Sequence, residues 1–265
     1  SEAIDVALRA MLDPGDEVLI PQPCFVSYVP CTILAGGVPV TVELEEKDRF
    51  RLTKEKVLEK LTPKTKILVL PFPNNPTGSI LEKEDLEAIA DLFVISDEIY
   101  SELTYGRHHC TIAALPGMKE RTVLINGFSK SYAMTGWRIG YVAAPAAISK
   151  VIGNYLGHCT GSPSSISQAA AAEALSASQE TVEKMREAFE ERRNYMVERM
   201  NQIEGVSCIK PEGAFYVMMN MEKLVGKTIH GEVIRDSDDF SAAFLKHGLV
   251  ATVPCTGFGA PNYVR

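Results

Sequence analysis

The sequence has no excess of positive charge, no paired cysteines and no long apolar run, and each absence removes a class of function. Twenty-seven Lys and Arg against 34 Asp and Glu leave a formal net charge of -7. Covering a nucleic-acid backbone takes a basic patch, which no segment supplies, so nucleic acid is not an expected partner. Any anion site must be local, built from a few placed arginines and backbone amides. The six cysteines (Cys24, Cys31, Cys110, Cys159, Cys208 and Cys255) include no CxxC pair and no metal-like spacing. At that density they read as mostly buried reduced thiols of a cytoplasmic protein rather than a disulfide scaffold. No apolar stretch reaches the roughly eighteen residues of a membrane span, and no secretory pattern opens the chain. Internal repeats, low-complexity tracts and metal-ligand clusters are lacking as well, and the adjacent His108 and His109 read as a solvated turn.

What is present is ordinary for a globular enzyme, with 46% hydrophobic and 23% charged residues. A length of 265 residues suffices for one large domain and part of a second. Apolar residues at Ala3, Ile4, Ala7, Leu8 and Met11 mark a helix that begins at once, and Asp13-Pro14-Gly15-Asp16 ends it. Strands are expected at 17–20, 38–44, 66–70, 93–95, 122–125 and 139–144, with helices at 26–34, 53–61 and 83–91 between them. Thr53 stands as a helix N-cap. Helices are also expected from Pro145, through the alanine-rich 162–179, and over 179–200. Short strands at 206–209, 215–219 and 249–253, with a helix at 237–247, describe a smaller α/β body. A helix and a strand meet at Asp91 and Phe93 with almost no connection, which predicts intervening residues at that junction.

Lys130 follows an apolar run and a glycine, so it is expected at a strand end facing a cleft. Arg138 lies eight residues later, with Gly127, Gly136, Ser129, Ser131 and Trp137 around the pair. Asn75 sits in PFPNNPTGS, where Pro73, Pro76 and Gly78 make a rigid turn after a buried-type strand. Asp97 and Tyr100 are three apart just past another strand, close enough to address different edges of one small ligand.

The stretch NGFSKSYAMTGWRIGY resembles the lysine segment of the class I aminotransferases, pyridoxal phosphate enzymes of fold type I. NNPTG, SDEIY and the closing CTGFGAPNYVR are similar to further motifs of that family, and the likeness runs over essentially the whole chain. The resemblance implies that Lys130 bonds covalently to pyridoxal 5'-phosphate and then shuttles the substrate proton. It assigns Asp97 to the pyridine nitrogen, and Asn75 and Tyr100 to the phenolic oxygen. Phe25 is assigned to the ring face, Ser1, Glu2, Ser129 and Arg138 to the phosphate region, and Arg265 to the substrate carboxylate. Gly127 stands where many members carry a phosphate-binding serine.

The implied fold is a mostly parallel, seven-stranded-type sheet sandwiched by helices, over residues 1–192, followed by a smaller α/β domain over 193–265. The chain is expected to lack the N-terminal part of the large domain and the end of the small one. The implied activity moves an amino group from an L-amino acid (aspartate, alanine or aromatic) to a 2-oxo acid such as 2-oxoglutarate, in a homodimer with shared active sites. A carbon-sulfur β-lyase would use the same cofactor residues, and an aminotransferase-like effector domain of a transcription regulator is the non-enzyme alternative.

Overall fold

The computed structural model describes residues 1–90 and 92–265. In chain order its large elements are α1 (Glu2–Met11), β1 (Glu17–Gln22), α2 (Tyr28–Leu34), β2 (Val38–Glu43), α3 (Lys54–Leu58), β3 (Thr65–Leu70), α4 (Lys83–Glu87), β4 (Phe93–Asp97), β5 (Thr122–Gly127), β6 (Gly140–Ala143), α5 (Ala146–Cys159), α6 (Ser165–Ser176) and α7 (Glu180–Met200). The six strands form one sheet in the order β2-β1-β3-β4-β5-β6, parallel except for the antiparallel β5–β6 pair. The expected seven strands are therefore six among the described residues. β6 ends the sheet on its side and is largely exposed. Asp91, and with it the junction where intervening residues are expected, lies outside the described residues.

Alternation along the strands divides the core in two, because successive side chains point to opposite faces. Leu19, Leu68, Leu70 and Val94 pack on one face with Phe50, Leu52, Ile112 and Met118. Val18, Ile20, Ile67, Val69, Ile95 and Val123 pack on the other, against Ile4 and Leu8 of α1 and Ile152 of α5. Both faces are covered, which is why β3 reads as an unbroken apolar run rather than an alternating one. Each fully buried Leu or Ile contributes about 1.5–3 kcal/mol. Asp13 to Asp16 ends α1 as the sequence implies, while α3 and α4 are shorter than their patterns. Thr53 caps α3 by accepting from the Lys56 amide at 3.5 Å.

Beyond α7 the elements are β7 (Ser207–Cys208), β8 (Met219–Asn220), the hairpin of β9 (Thr228–Ile229) and β10 (Glu232–Val233), α8 (Ser237–Gly248) and β11 (Tyr263–Val264). β11, β8 and β7 form a three-stranded antiparallel sheet. Met219, Met221, Ile234, Phe240, Ala243 and Val264 make its core. Two expected strands are corrected here. Residues 249–253 form none, because Leu249 caps α8 in the left-handed region at φ 55° and is 86% exposed. Val253 exchanges both backbone hydrogen bonds with Arg265. Of 215–219 only Met219 is in a strand, and the preceding residues are drawn toward the sheet edge.

The solvated-turn reading of the histidines holds for His108 alone. His109 Nε2 lies 2.9 Å from the buried Glu98 carboxylate, which also accepts from Ser96 and Thr111. The six cysteines are free thiols, with Cys24, Cys208 and Cys255 buried. No helix among the described residues is long and apolar enough to cross a membrane.

Candidate active site

Because β3, β4 and β5 are parallel and in register, the loops that follow them leave the sheet at one edge. Asn75 follows β3, Asp97 ends β4 and Tyr100 follows it, and Lys130 comes three residues after β5. Phe25, after β1, opens onto the same edge. Arg265 arrives from the other direction, one residue past β11, and donates to Asn75 Oδ1 at 2.7 Å.

A loop from the second half of the chain completes this edge. Gly78, at φ +68°, accepts from the amides of Glu212 and Gly213. A Cβ on Gly78 would stand 2.3 Å from Pro211 Cβ, so only glycine lets the two loops close. The buried Arg193 of α7 donates to the Pro211 carbonyl at 2.8 Å and stacks on Tyr105. The Tyr105 hydroxyl in turn donates to the Ala214 carbonyl. Held on three sides, the segment delivers Phe215 and Tyr216 into the site. The Tyr216 hydroxyl is 2.6 Å from that of Tyr100, and Arg265 lies 4.4 Å over the Tyr216 ring. Phe215 packs edge-on against Tyr100, and Lys130 Nζ lies 5.8 Å from the Phe215 ring.

Asp97 is 6% exposed and fully engaged on its protein side. Tyr28 donates to Oδ2 at 2.9 Å and the Ile99 amide donates to Oδ1 at 3.2 Å. Burial pushes its carboxyl above the ordinary 3.8, while the hydrogen bonds from Tyr28 and the Ile99 amide pull it back. Tyr28 also meets Phe25 edge to face at 5.9 Å. On Lys130, burial lowers the amine below its ordinary 10.5, and the positive charges of Arg265 and Arg138 lower it further.

Three cations thus face one another, and among the described residues none of Lys130, Arg138 and Arg265 has a carboxylate within ion-pairing distance. Arg138 donates only to the Thr135 carbonyl, at 2.9 Å, and lines an open cavity of about 530 Å³ with Gly136, Trp137 and Ser167. Such a cluster beside a buried carboxylate calls for a ligand with two anionic groups and a cationic or proton-bearing one. Pyridoxal phosphate together with an amino acid meets that description, so the residues present fit the implied cofactor.

Of the residues singled out in the sequence, Asn75, Asp97, Tyr100, Lys130, Arg138 and Arg265 are joined by contacts or by charge, with Phe25 beside them through Tyr28. Ser1 heads α1 without a side-chain cap bond. Glu2 and Ser129 make no hydrogen bond or ion pair to the others among the described residues. Gly127 pairs with Gly140, and a Cβ there would meet Gly140 Cα at 3.1 Å, so the two strands approach closely at this pair. Tyr28, Phe215 and Tyr216 escape the sequence reading. The only signals for them are a lone polar aromatic in an apolar helix turn and two aromatics after Pro-Glu-Gly.

The Tyr28 contact makes a pH-dependent prediction. Between the ordinary carboxyl value and the raised one, the folded protein holds a proton on Asp97 that the unfolded chain has released, so stability falls as pH rises through that window. Removing the donor in Tyr28→Phe raises the carboxyl further and extends the window upward. Urea unfolding of the cofactor-free protein should show the variant less stable by about 1.5–3 kcal/mol at neutral pH, and by much less near pH ~4. An equal deficit at both pH values would mean that Tyr28 supports packing alone.

A family model for aminotransferase class I and II matches residues 1–265. The aspartate aminotransferase of Geobacillus stearothermophilus is 45% identical over 271 aligned residues, which cover 99% of this chain and 68% of that protein. Aromatic-amino-acid aminotransferase 2 of Thermococcus litoralis is 41% identical, covering 100% of this chain and 68% of that one. Among solved structures, the aspartate aminotransferase of Rhizobium meliloti superposes with a TM-score of 0.94 at 38% identity, over 99% of this chain and 68% of that one. The aromatic aminotransferase of Pyrococcus horikoshii gives 0.92 at 42% identity, over 100% and 71%. With the motifs, the sheet and the cation-lined edge already in agreement, these matches place the chain in the class I and II aminotransferase family, whose members transfer amino groups with pyridoxal phosphate.

Proposed function

We propose that this protein transfers the amino group of an L-amino acid (aspartate, alanine or aromatic) to a 2-oxo acid such as 2-oxoglutarate. The observation that carries the reading is the set of three cations without carboxylate partners beside a buried carboxylate. Residues 1–192 form, in this reading, the cofactor-holding domain and 193–265 the smaller one.

When bound, pyridoxal phosphate supplies a conjugated ring able to accept the electron pair left when the substrate loses its Cα proton. Asp97 would hold a proton on the ring nitrogen, its carboxylate aimed by the hydroxyl of Tyr28 and the amide of Ile99. Lys130 would hold the cofactor through its amine, and Nζ, when free, would take the substrate's Cα proton and return it. Its lowered basicity supports this duty, since a general base works best when its pKa lies near the operating pH. Arg138, with the first turn of α1 at Ser1 and Glu2 and the nearby Ser129, takes the phosphate. Phe25 covers the ring face. Asn75 gives its carbonyl oxygen to Arg265, which leaves its amide N–H groups free, and with the hydroxyl of Tyr100 they would hold the cofactor's phenolic oxygen.

Arg265 is assigned the substrate α-carboxylate, which a planar guanidinium grips at two points. Arg265→Lys should lower kcat/KM for amino acids by about 2 kcal/mol or more, roughly thirtyfold. A simple amine without the carboxylate should react almost as before. Single-turnover kinetics that show equal losses for both would assign Arg265 to the fold and the carboxylate to another residue.

The function itself is tested by incubating the purified holoprotein with 2-oxoglutarate and each of the twenty amino acids. Formation of glutamate with one or more donors is the expected result. Ammonia and pyruvate without a new amino acid would identify a β-lyase instead.

A further inference from the structure

Two buried or half-buried tyrosines meet hydroxyl to hydroxyl at 2.6 Å beside the proposed cofactor position. A phenol carries one proton, so in such a pair one tyrosine gives its proton to the other, and the acceptor's own proton is released for a third partner. Among the described residues, neither hydroxyl has any partner but the other. The direction of the bond therefore decides which tyrosine can donate to a ligand.

The proposed role of Tyr100 sets that direction: if its hydrogen goes to the cofactor's oxygen, the hydrogen between the two hydroxyls is that of Tyr216, whose ring carries Arg265 over its face at 4.4 Å from the centre. Tyr100 is 4% exposed and packed on one side by Phe215. Burial and the neighbouring Tyr216 and Asp97 all hold its phenol above the ordinary range, so Tyr100 stays protonated. With Tyr216 donating, the Tyr100 proton faces the ligand, and a phenol that accepts one hydrogen bond becomes a stronger donor of its own.

We propose that Tyr216 is a positioning residue that sets the Tyr100 proton toward the cofactor's phenolic oxygen and, through its ring, seats the guanidinium of Arg265. It thereby joins the carboxylate end of the site to the cofactor end, alongside Asn75, which accepts from Arg265. The inference rests on the proposed role of Tyr100. The backbone supports such a duty, because Gly78, Arg193 and Tyr105 all grip the loop that carries Tyr216. A loop held this tightly fixes the hydroxyl without help from the ligand.

The two parts of the role separate by substitution. Tyr216→Phe keeps the ring under Arg265 and removes the hydroxyl, whereas Tyr216→Leu removes both. A hydrogen bond to the phenolic oxygen stabilises its anion and lowers the proton affinity of the bound chromophore, so weakening that bond raises the affinity. In a spectrophotometric pH titration of the holoprotein, Tyr216→Phe should raise the chromophore's protonation midpoint by about 0.5–1 unit, with KM for a carboxylate substrate within about twofold of the parent. Tyr100→Phe should raise the midpoint further. The double variant should match Tyr100→Phe alone, since the effect passes through Tyr100. Tyr216→Leu should also raise KM about fivefold, the loss expected for one cation-ring contact; if it does not fold, the phenylalanine variant carries the test.

A midpoint unchanged in Tyr216→Phe but raised in Tyr100→Phe would overturn the inference and leave the proposed function standing. Additive shifts in the double variant would also overturn it, because Tyr216 would then act by another route. No shift in Tyr100→Phe would remove the proposed role of Tyr100, and the inference with it.

Discussion

Lys130→Ala is expected to reduce amino transfer by at least about 10⁴-fold, the upper end of what a positioned acid-base group contributes, because the same residue also bonds the cofactor. The visible absorbance of the lysine-linked cofactor should vanish with it. In the proposed arrangement Arg138 would still hold the phosphate, so the variant should retain cofactor by non-covalent binding. The half-buried Lys130 has no carboxylate partner among the described residues, so its loss leaves no charge stranded and the fold should survive. Lys64→Ala, at an exposed position, serves as the control and should behave as the parent. A Lys130→Ala protein that keeps a tenth or more of its activity would remove the lysine from the chemistry.

Asp97→Ala should be nearly as damaging for a different reason. Removing the carboxylate takes away the charge that keeps the ring nitrogen protonated, and the substrate carbanion loses its electron sink. Electrostatic groups of this kind are worth about 10²–10³ in rate, so activity should fall at least that far. Cofactor affinity should fall less than about tenfold, because Arg138, Lys130 and Asn75 are untouched. The substitution also strands the buried hydroxyl of Tyr28, which loses its only acceptor among the described residues at a cost of about 1–3 kcal/mol in stability. Tyr28→Phe combined with Asp97→Ala should therefore recover part of that stability without recovering activity. Matched, modest losses of activity and cofactor binding would mark Asp97 as a structural carboxylate.

The parallel sheet was legible because its strands are short apolar runs bounded by Pro, Gly and Asp, as in residues 66–70 before PFPNNPTGS. The residues at the ends of those runs were legible for the same reason, since a strand end fixes where the next few side chains emerge. Residues 215–219 misled because FYVMM has the composition of a strand, while its path is set by contacts with Gly78, Leu103 and Tyr105 that lie far away in sequence. Residues 249–253 misled similarly, since β-branched side chains suit a strand but Leu249 spends its conformation on ending α8. The β9–β10 hairpin had a signal in His230-Gly231, both at positive φ, which sequence reasoning passed over. Tyr28 and Tyr216 were beyond reach. Their importance lies in which hydroxyl meets which acceptor, and that is a property of the folded edge.

The central claim is that one lysine, placed after β5 and surrounded by unpaired cations, holds the cofactor. The most direct measurement is borohydride reduction of the cofactor-loaded protein followed by proteolysis and mass spectrometry of the labelled peptide. The account predicts a single pyridoxyl-phosphate label on Lys130, within the peptide that contains Gly127 to Arg138. A label on any other lysine, or none at all in protein that retains transaminase activity, would contradict it.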